Sequence, residues 1–199
     1  MGVTSMMHRR QMLASAAAAS VALMATSVLT QSAFAQTAMP GEAAMGEAET
    51  KHAEETGMVG SLSLATSRVA AEKATDAMVK KFAGFEVAEQ ETVADILMSM
   101  KADPASAEGA LKKPSEAEVE AMIDPAGKEA LTKLRGLSGA EFDKMYVTAQ
   151  LDGHRKLLAI QEDYLKVGKN REHLSVAKLA RGQVKEHIAL LEDIQSKMG

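Results

Sequence analysis

Four polar side chains interrupt the apolar stripes of three predicted helices, and their types are those that bind metal ions. Glu86 and Glu89 lie on one stripe, at helical steps from the apolar residues around them. His154 and His187 each lie three residues after one apolar residue and four before another. Carboxylates and imidazoles suit iron, manganese, zinc and copper. The pattern therefore indicates chemistry in the interior of a helical protein, where facing helices could hold a divalent transition metal.

The two histidines are predicted to lie at similar depth in that interior. If the chain turns at about residue 169, His154 precedes the turn by 15 residues and His187 follows it by 18. At a rise of 1.5 Å per residue, the two imidazoles are offset by roughly 4 to 5 Å along the hairpin. Glu89 lies near the middle of its own helix. A cluster of Glu86, Glu89, His154 and His187 in the middle of a helical bundle is therefore geometrically feasible.

Three interpretations of this cluster are open at the level of sequence. The first is a bound metal ion. The second is a buried hydrogen-bonded network that fixes the register of the helices. The third is that Glu86 lies at the edge of its stripe and reaches water through its flexible side chain. No Glu-x-x-His occurs on a predicted core helix, so the di-iron carboxylate motif is absent and ferritin-type oxidase chemistry is not expected.

The elements that must position these residues are amphipathic helices. Periodicity predicts a helix from Ser61 to about Ala74, and three longer ones over 77–101, 140–167 and 171–198. No helix is apolar all round, so the long helices must bury their stripes against one another. The connection at 168–170 is short and contains Gly168, a natural C-terminal stop, which makes the last two helices a hairpin. The fold class is all-α, an antiparallel bundle with additional short helices.

Capping signals place the starts of the later helices. Ser115-x-x-Glu118 is a capping box that opens a short helix reaching about residue 123. Pro125 is suited to the first position of a second short helix, which ends near residue 136. Ser138-x-x-Glu141 is another capping box and opens the longest helix.

The region before the bundle shows no apolar periodicity. Residues 36–59 contain Pro40, three glycines and several charged residues, and we interpret them as a flexible acidic leader that precedes a bundle domain over 60–198. His52 lies in this leader, three residues after Glu49, and the spacing is taken as chance. His173 lies near the start of the last helix and is predicted to be exposed.

The first 35 residues have the order of a secretory signal: basic, then apolar, then small. Arg9-Arg10 is similar to a twin-arginine signal, and Ala33-Phe34-Ala35 predicts cleavage after Ala35. An ordinary signal peptide with two arginines is the alternative, and an uncleaved anchor fits less well because the apolar run is short and mildly apolar. The expected location is the periplasm, with no transmembrane span after cleavage.

Composition excludes several functional classes. The chain of 199 residues has no cysteine, so disulfides, zinc–thiolate sites and iron–sulfur clusters are excluded. Arg9 and Arg10 are the only charged residues of the predicted signal, so the remainder has 21 basic and 27 acidic residues, a net charge of −6. Together with an aromatic content of 3%, this predicts no nucleic-acid partner.

The segment LRGLSGAEFDKMYVTAQLDGH, from Leu134 to His154, contains Leu137-Ser138-Gly139, Phe142-Asp143, Tyr146 and His154. This pattern resembles the signature of one known family, the domain of unknown function 4142. The segment from Phe82 resembles the family's Phe-Ala helix, and the segment around His187 resembles its closing helix. Where the family often has an acid followed by His, this chain has Glu89 followed by Gln90.

The resemblance covers about residues 60 to 196 and implies a ferritin-like four-helix bundle, exported in bacteria, without an established activity. One hypothesis is therefore a non-enzymatic periplasmic bundle that supports envelope stress tolerance through protein contacts. The alternative is a metal-binding or redox protein that uses Glu86, Glu89, His154 and His187. An enzyme of unknown reaction is a third hypothesis, but no Gly-x-Ser-x-Gly and no glycine-rich phosphate loop supports it.

Overall fold

The computed structural model describes residues 45–101 and 108–198, and these residues form helices and connecting turns with no strand. The all-α prediction is confirmed for this part of the chain. The predicted signal peptide of residues 1–35, its cleavage site and residues 36–44 lie outside the described residues. Residues 45–101 and 108–198 contain six helices in this order: α1 (Glu47–Lys73), α2 (Ala77–Ser99), α3 (Glu116–Met122), α4 (Pro125–Gly136), α5 (Gly139–Val167) and α6 (Arg171–Lys197).

The starts of α3 and α5 can be compared with the two capping boxes that the sequence predicts. At α3, the Ser115 hydroxyl accepts from the Glu118 N–H at 3.3 Å, and the Glu118 carboxylate accepts from the Ser115 N–H at 2.8 Å, which confirms the first capping box. The prediction of a second capping box, at Ser138, is wrong, because the Ser138 side chain makes no capping hydrogen bond. There α5 begins at Gly139, which has a φ of +58°, a left-handed conformation that glycine adopts without strain.

The four long helices pack as two hairpins. α1 packs along α2, α5 packs along α6, and α1 joins the two hairpins by packing against α5. Phe82, Phe142 and Tyr146 are fully buried in the core between them. Removing side chains of this size from water contributes roughly 1.5–3 kcal/mol each. α3 and α4 lie against α1 and bury Val119 and Leu131 there.

The start of α1 differs from the predicted flexible leader. The helix begins at Glu47 rather than near Ser61, so residues 47–59 are helical. This part of α1 buries Glu49, His52 and Thr56 where a typical helix buries large apolar side chains. Its hydrophobic periodicity is therefore weak, which is why the sequence did not show it. His52, predicted to lie in the flexible leader, is instead buried in this helix.

Polar side chains line the whole contact between α1 and α5. At one end, the Asp143 carboxylate accepts from the Thr75 and Asp76 N–H groups. In the middle, Ser67 and Tyr146 share a hydrogen bond of 2.7 Å between their hydroxyls. At the other end, Gln161 donates to the Thr56 hydroxyl at 3.0 Å. We call these residues and Glu49, Ser63, Gln150 and Tyr164 the polar seam. Because each group has a particular partner, the seam fixes the register of the two antiparallel helices.

Glu49 connects the start of α1 to the turn between α5 and α6. Its carboxylate accepts from the N–H groups of Lys169 and Asn170 and from the Tyr164 hydroxyl. The backbone donor of Lys169 is the largest of several contributions that lower its pKa from 4.5 to about 2, against the opposing effect of burial. Gly168 completes the turn, because a methyl group at this position would collide with the Tyr164 ring.

No helix in the described residues is both long enough and apolar enough to cross a membrane. The short helices α3, which follows Pro114, and α4, which begins at Pro125, pack against α1.

We expect Glu49→Gln to lower the free energy of unfolding at pH 7 by about 2 kcal/mol, the usual value for hydrogen bonds to a charged group. Because the folded pKa is depressed, the stabilisation is fully present above the unfolded value of 4.5 and is lost as the pH falls towards about 2. Urea unfolding at pH 7, 5 and 3 measures this difference. The control is Glu54→Gln, an exposed position on the same helix. A destabilisation that is equal at pH 7 and pH 3 would contradict the assignment.

Candidate metal centre

The four residues predicted to form a cluster meet in the middle of the bundle. Glu86 and Glu89 come from α2, His154 from α5 and His187 from α6. The side chains of Glu86 and His154 are completely buried, whereas those of His187 and Glu89 keep 14% and 15% of their surface exposed. The interpretation of Glu86 as an exposed edge residue is therefore wrong. Helical spacing places Glu86 on the inner face of α2, one turn from Phe82 and one turn from Gln90.

Three donor atoms converge at this cluster. Glu86 Oε2 lies 3.3 Å from His154 Nε2 and 3.0 Å from His187 Nδ1. The two nitrogens are 3.2 Å apart. Ligand atoms of one tetrahedral ion at the usual 2.0–2.1 Å lie about 3.3 Å from one another. The three atoms thus form a triangle of the size that a single first-row metal ion requires.

The outer nitrogens of both imidazoles contact atoms that only accept hydrogen bonds. His154 Nδ1 lies 2.8 Å from the Gln150 carbonyl oxygen, and His187 Nε2 lies 3.3 Å from a carboxylate oxygen of Glu89. When the rings are neutral, each outer nitrogen holds the proton and each inner nitrogen presents a lone pair. Histidines that bind metals are held in the same way, by a carbonyl or carboxylate on the remote nitrogen.

The two carboxylate oxygens of Glu86 have different surroundings. One accepts hydrogen bonds from neighbouring side chains, and the other faces the two imidazoles. Oε1 accepts from the Ser63 hydroxyl at 2.5 Å and from the Gln90 amide at 2.9 Å. Oε2 is buried and makes no hydrogen bond of acceptable geometry, although both imidazoles are close. An orphaned carboxylate oxygen in the interior is costly unless a cation compensates it.

The protonation of the cluster follows from burial and from the closeness of opposite charges. Burial alone would raise the pKa of Glu86, but His154, His187 and the Ser63 hydroxyl together hold it well below its usual range. Burial lowers the pKa of His187, and the two carboxylates beside it more than offset this and raise it. Burial also raises the pKa of Glu89. Glu86 is therefore the fixed negative charge, and His187 and Glu89 compete for a proton.

A groove between α2 and α6 leads from solvent to the cluster. It has a volume of about 550 Å³, and Glu89 and His187 form part of its wall. Phe85 and Leu179 flank it and are 54% and 70% exposed. On the opposite, interior side, the Phe82 ring contacts the His187 imidazole at a centroid distance of 5.1 Å. The cluster is thus closed towards the core and accessible from one side.

Two histidines and one carboxylate are a recognised donor set. In a four-coordinate arrangement they bind zinc and leave a position for water, and in a facial arrangement with open positions they bind ferrous iron. Glu89 points to the remote nitrogen of His187 and is not among the converging atoms. The geometry therefore separates the four predicted residues into three potential ligands and one outer partner.

Several residues that support the cluster were not predicted as part of it. Ser63 lies on α1, within the predicted helix but without a feature that marks it as a partner of Glu86, and Gln150 acts through its main chain. Gln90, noted only as a departure from a family pattern, lies four residues after Glu86 and orients its carboxylate. That spacing on a helix was the one available signal. His173 also differs from expectation, because it is 1% rather than largely exposed and lies in a second cluster with His52.

The fold and site define the class of the molecule as a helical bundle with a buried carboxylate–imidazole cluster. Residues 31–194 match the family model described as Domain of unknown function (DUF4142), and the chain belongs to that family. The resemblance drawn from the motifs is thereby confirmed. Comparisons with curated proteins and with solved structures find no match.

We expect Glu86→Ala to lower the free energy of unfolding of the metal-free protein by about 3–5 kcal/mol, since removing one partner of a buried ionic cluster leaves the others uncompensated. The comparison is Glu162→Ala, which removes an exposed ion pair with Arg181 and should cost less than about 1 kcal/mol. Urea unfolding at pH 7 in the presence of chelator measures both. A loss below 1 kcal/mol for Glu86→Ala would show that the carboxylate is not part of a compensated cluster.

Proposed function

We propose that this chain is an exported, ferritin-like four-helix bundle protein that binds one divalent transition metal ion through Glu86, His154 and His187. The observation that supports metal binding is the convergence of three donor atoms within 3.3 Å of one another, one of them a buried carboxylate oxygen without a hydrogen bond. The ferritin-like arrangement is supported by the order of packing, in which α1 joins the α1–α2 and α5–α6 hairpins.

The chemistry of the site favours Fe²⁺, Mn²⁺ or Zn²⁺. One ionised carboxylate and two neutral imidazoles are intermediate ligands that these ions share. Glu89 is the outer partner that holds the proton of His187 Nε2 and orients the ring. His187 and Glu89 line the groove between α2 and α6, so water or a small ligand would reach the bound ion from that side. No reaction is assigned to the site, and the one Glu-x-x-His in the described residues, Glu49 to His52, belongs to α1 and not to this site.

A second function, protein contact without catalysis, is favoured by one observation. Phe85 and Leu179 are large apolar side chains on neighbouring helices, and both are mostly exposed. Side chains of this kind next to one another on a surface are typical of an interaction site. In this alternative the protein supports the cell envelope through a partner, and the buried cluster serves to fix helix register.

We expect near-stoichiometric metal in protein purified without chelator or affinity tag, and its loss in the double variant His154→Ala/His187→Ala. Elemental analysis gives the resident ion, and titration of the metal-free protein with Fe²⁺, Mn²⁺ and Zn²⁺ gives the affinities. Glu89→Gln, which keeps the three ligands, should bind roughly 10- to 100-fold more weakly because it alters an outer partner. Binding should weaken as the pH falls, because metal and proton compete for the imidazoles.

The matched control for these variants is Glu192→Gln, an exposed carboxylate paired with Arg155 on the same pair of helices. It should bind metal as the unaltered protein does. A folded protein that contains no metal and takes up none of the three ions would refute the site. Equal affinities in the protein and the double variant would place the ion elsewhere.

Export is proposed from the sequence of the first 35 residues. If the twin-arginine interpretation holds, Arg9→Lys/Arg10→Lys should abolish delivery to the periplasm, because that route requires both arginines, and precursor should accumulate in the cytoplasm. Cell fractionation with detection of the carboxyl-terminal part measures this. Unchanged delivery with cleavage after Ala35 would instead identify an ordinary signal peptide.

A further inference from the structure

The bundle contains a second pair of buried histidines, at the end where α5 turns into α6. His52 on α1 and His173 on α6 are 2% and 1% exposed. Their Nδ1 atoms lie 3.3 Å apart. The Tyr164 ring stacks on the His52 imidazole at a centroid distance of 4.2 Å and closes one side of the pair. The metal centre proposed above uses neither histidine, so this pair needs its own explanation.

The partners of the outer nitrogens fix which atom of each ring holds a proton. His52 Nε2 lies 2.7 Å from Gln161 Oε1, an oxygen that only accepts. The amide nitrogen of the same side chain lies 3.0 Å from the Thr56 hydroxyl, with the amide oxygen on the His52 side. His173 Nε2 lies 2.9 Å from the sulfur of Met45, which also only accepts. When both of these outer hydrogen bonds are made, each neutral ring holds its proton on Nε2.

It follows that two lone pairs face each other across 3.3 Å in a buried place. Neither Nδ1 can donate to the other while the outer hydrogen bonds are made, so the contact is repulsive unless a cation lies between them. A proton is one such cation, but burial opposes an additional positive charge and lowers the pKa of both rings. A metal ion about 2.0 Å from each nitrogen would subtend an angle of about 110°, the angle between two ligands of a tetrahedral ion, so the two imidazoles would share the ion with at least one further ligand such as water.

The charge of the surroundings selects the ion. The buried carboxylate of Glu49 is committed to the N–H groups of Lys169 and Asn170 and to Tyr164, so it is not a ligand. Its negative charge acts on both histidines, and the partly exposed Glu55, which pairs with Lys51, acts on His52 as well. Two neutral imidazoles with one buried compensating charge suit a monovalent ion, because a divalent ion would leave a net charge buried. The Met45 thioether at the rim is a soft group of the kind that selects Cu⁺.

We propose that His52 and His173 form a second metal site, which binds one Cu⁺ ion through their Nδ1 atoms. Gln161 and Met45 hold the two rings in the required tautomer, and Glu49 supplies the compensating charge. The site does not depend on the metal centre at Glu86, which has a carboxylate ligand and suits a divalent ion. The two sites therefore differ in donor set and in the charge of the ion they accept.

Anaerobic titration with Cu⁺ against a chromogenic Cu⁺ chelator tests the proposal on the protein as the cell processes it. The unaltered protein should bind one Cu⁺ per chain. His173→Gln and His52→Gln should weaken binding by more than about 100-fold, and Gln161→Leu, which removes only an outer partner, by roughly 10- to 100-fold. Glu192→Gln, which alters an exposed carboxylate paired with Arg155, is the matched control and should keep the Cu⁺ affinity.

A measurement on the unaltered protein avoids any effect of the substitutions on folding. In long-range ¹⁵N–¹H spectra of the imidazoles, Cu⁺ should shift the Nδ1 resonances of His52 and His173 and leave those of His154 and His187 in place. Absence of Cu⁺ binding, or shifts confined to His154 and His187, would overturn the second site. Because the Cu⁺ result does not depend on uptake of Fe²⁺, Mn²⁺ or Zn²⁺, failure of one site is distinguishable from failure of the other.

Discussion

The buried carboxylate of Glu86 is the group on which the arrangement of the long helices depends. An ionised carboxylate removed from water is costly, and only well-placed donors and cations offset that cost. Here the compensation comes from all four long helices: Ser63 from α1, Gln90 from α2, His154 from α5 and His187 from α6. A shift of any one helix by a turn would remove its contribution. The charge thus sets the register of the bundle, and the same four contributions shape the potential metal centre.

The helices that bury large apolar side chains could be predicted from the sequence. The part of α1 that buries polar side chains could not. α2, α4, α5 and α6 follow apolar stripes or capping signals, and their predicted limits agree with the structure to within about two residues. The first half of α1 instead buries Glu49, His52, Thr56 and Gly60 against α5 and α2. Glu49 and Thr56 belong to the polar seam, and none of the four is a large apolar residue, so a search for apolar spacing could not find them. His173 is buried against the same half of α1, so its burial could not be predicted either.

The candidate site was predictable for a related reason. Glu86, Glu89, His154 and His187 are polar residues on otherwise apolar stripes, and a hairpin places equal distances from its turn at equal depth. Sequence alone could not assign their roles, since these depend on which atom each side chain presents. Glu89 lies only three residues from Glu86, yet it contacts the far nitrogen of His187 and not the convergent point. That distinction between ligand and outer partner arises from tertiary packing.

Each of the four histidines in the described part of the chain directs one nitrogen to an atom that can only accept: the Gln150 carbonyl, the Glu89 carboxylate, the Gln161 amide oxygen or the Met45 sulfur. The opposite nitrogens then face one another in two pairs, 3.2 and 3.3 Å apart. A network built only for stability would gain more by placing a donor opposite an acceptor within each pair. Paired lone pairs are unfavourable in the absence of a cation and favourable with one. Under the two proposals made above, an ion that fits either pair would offset this unfavourable contact when it binds.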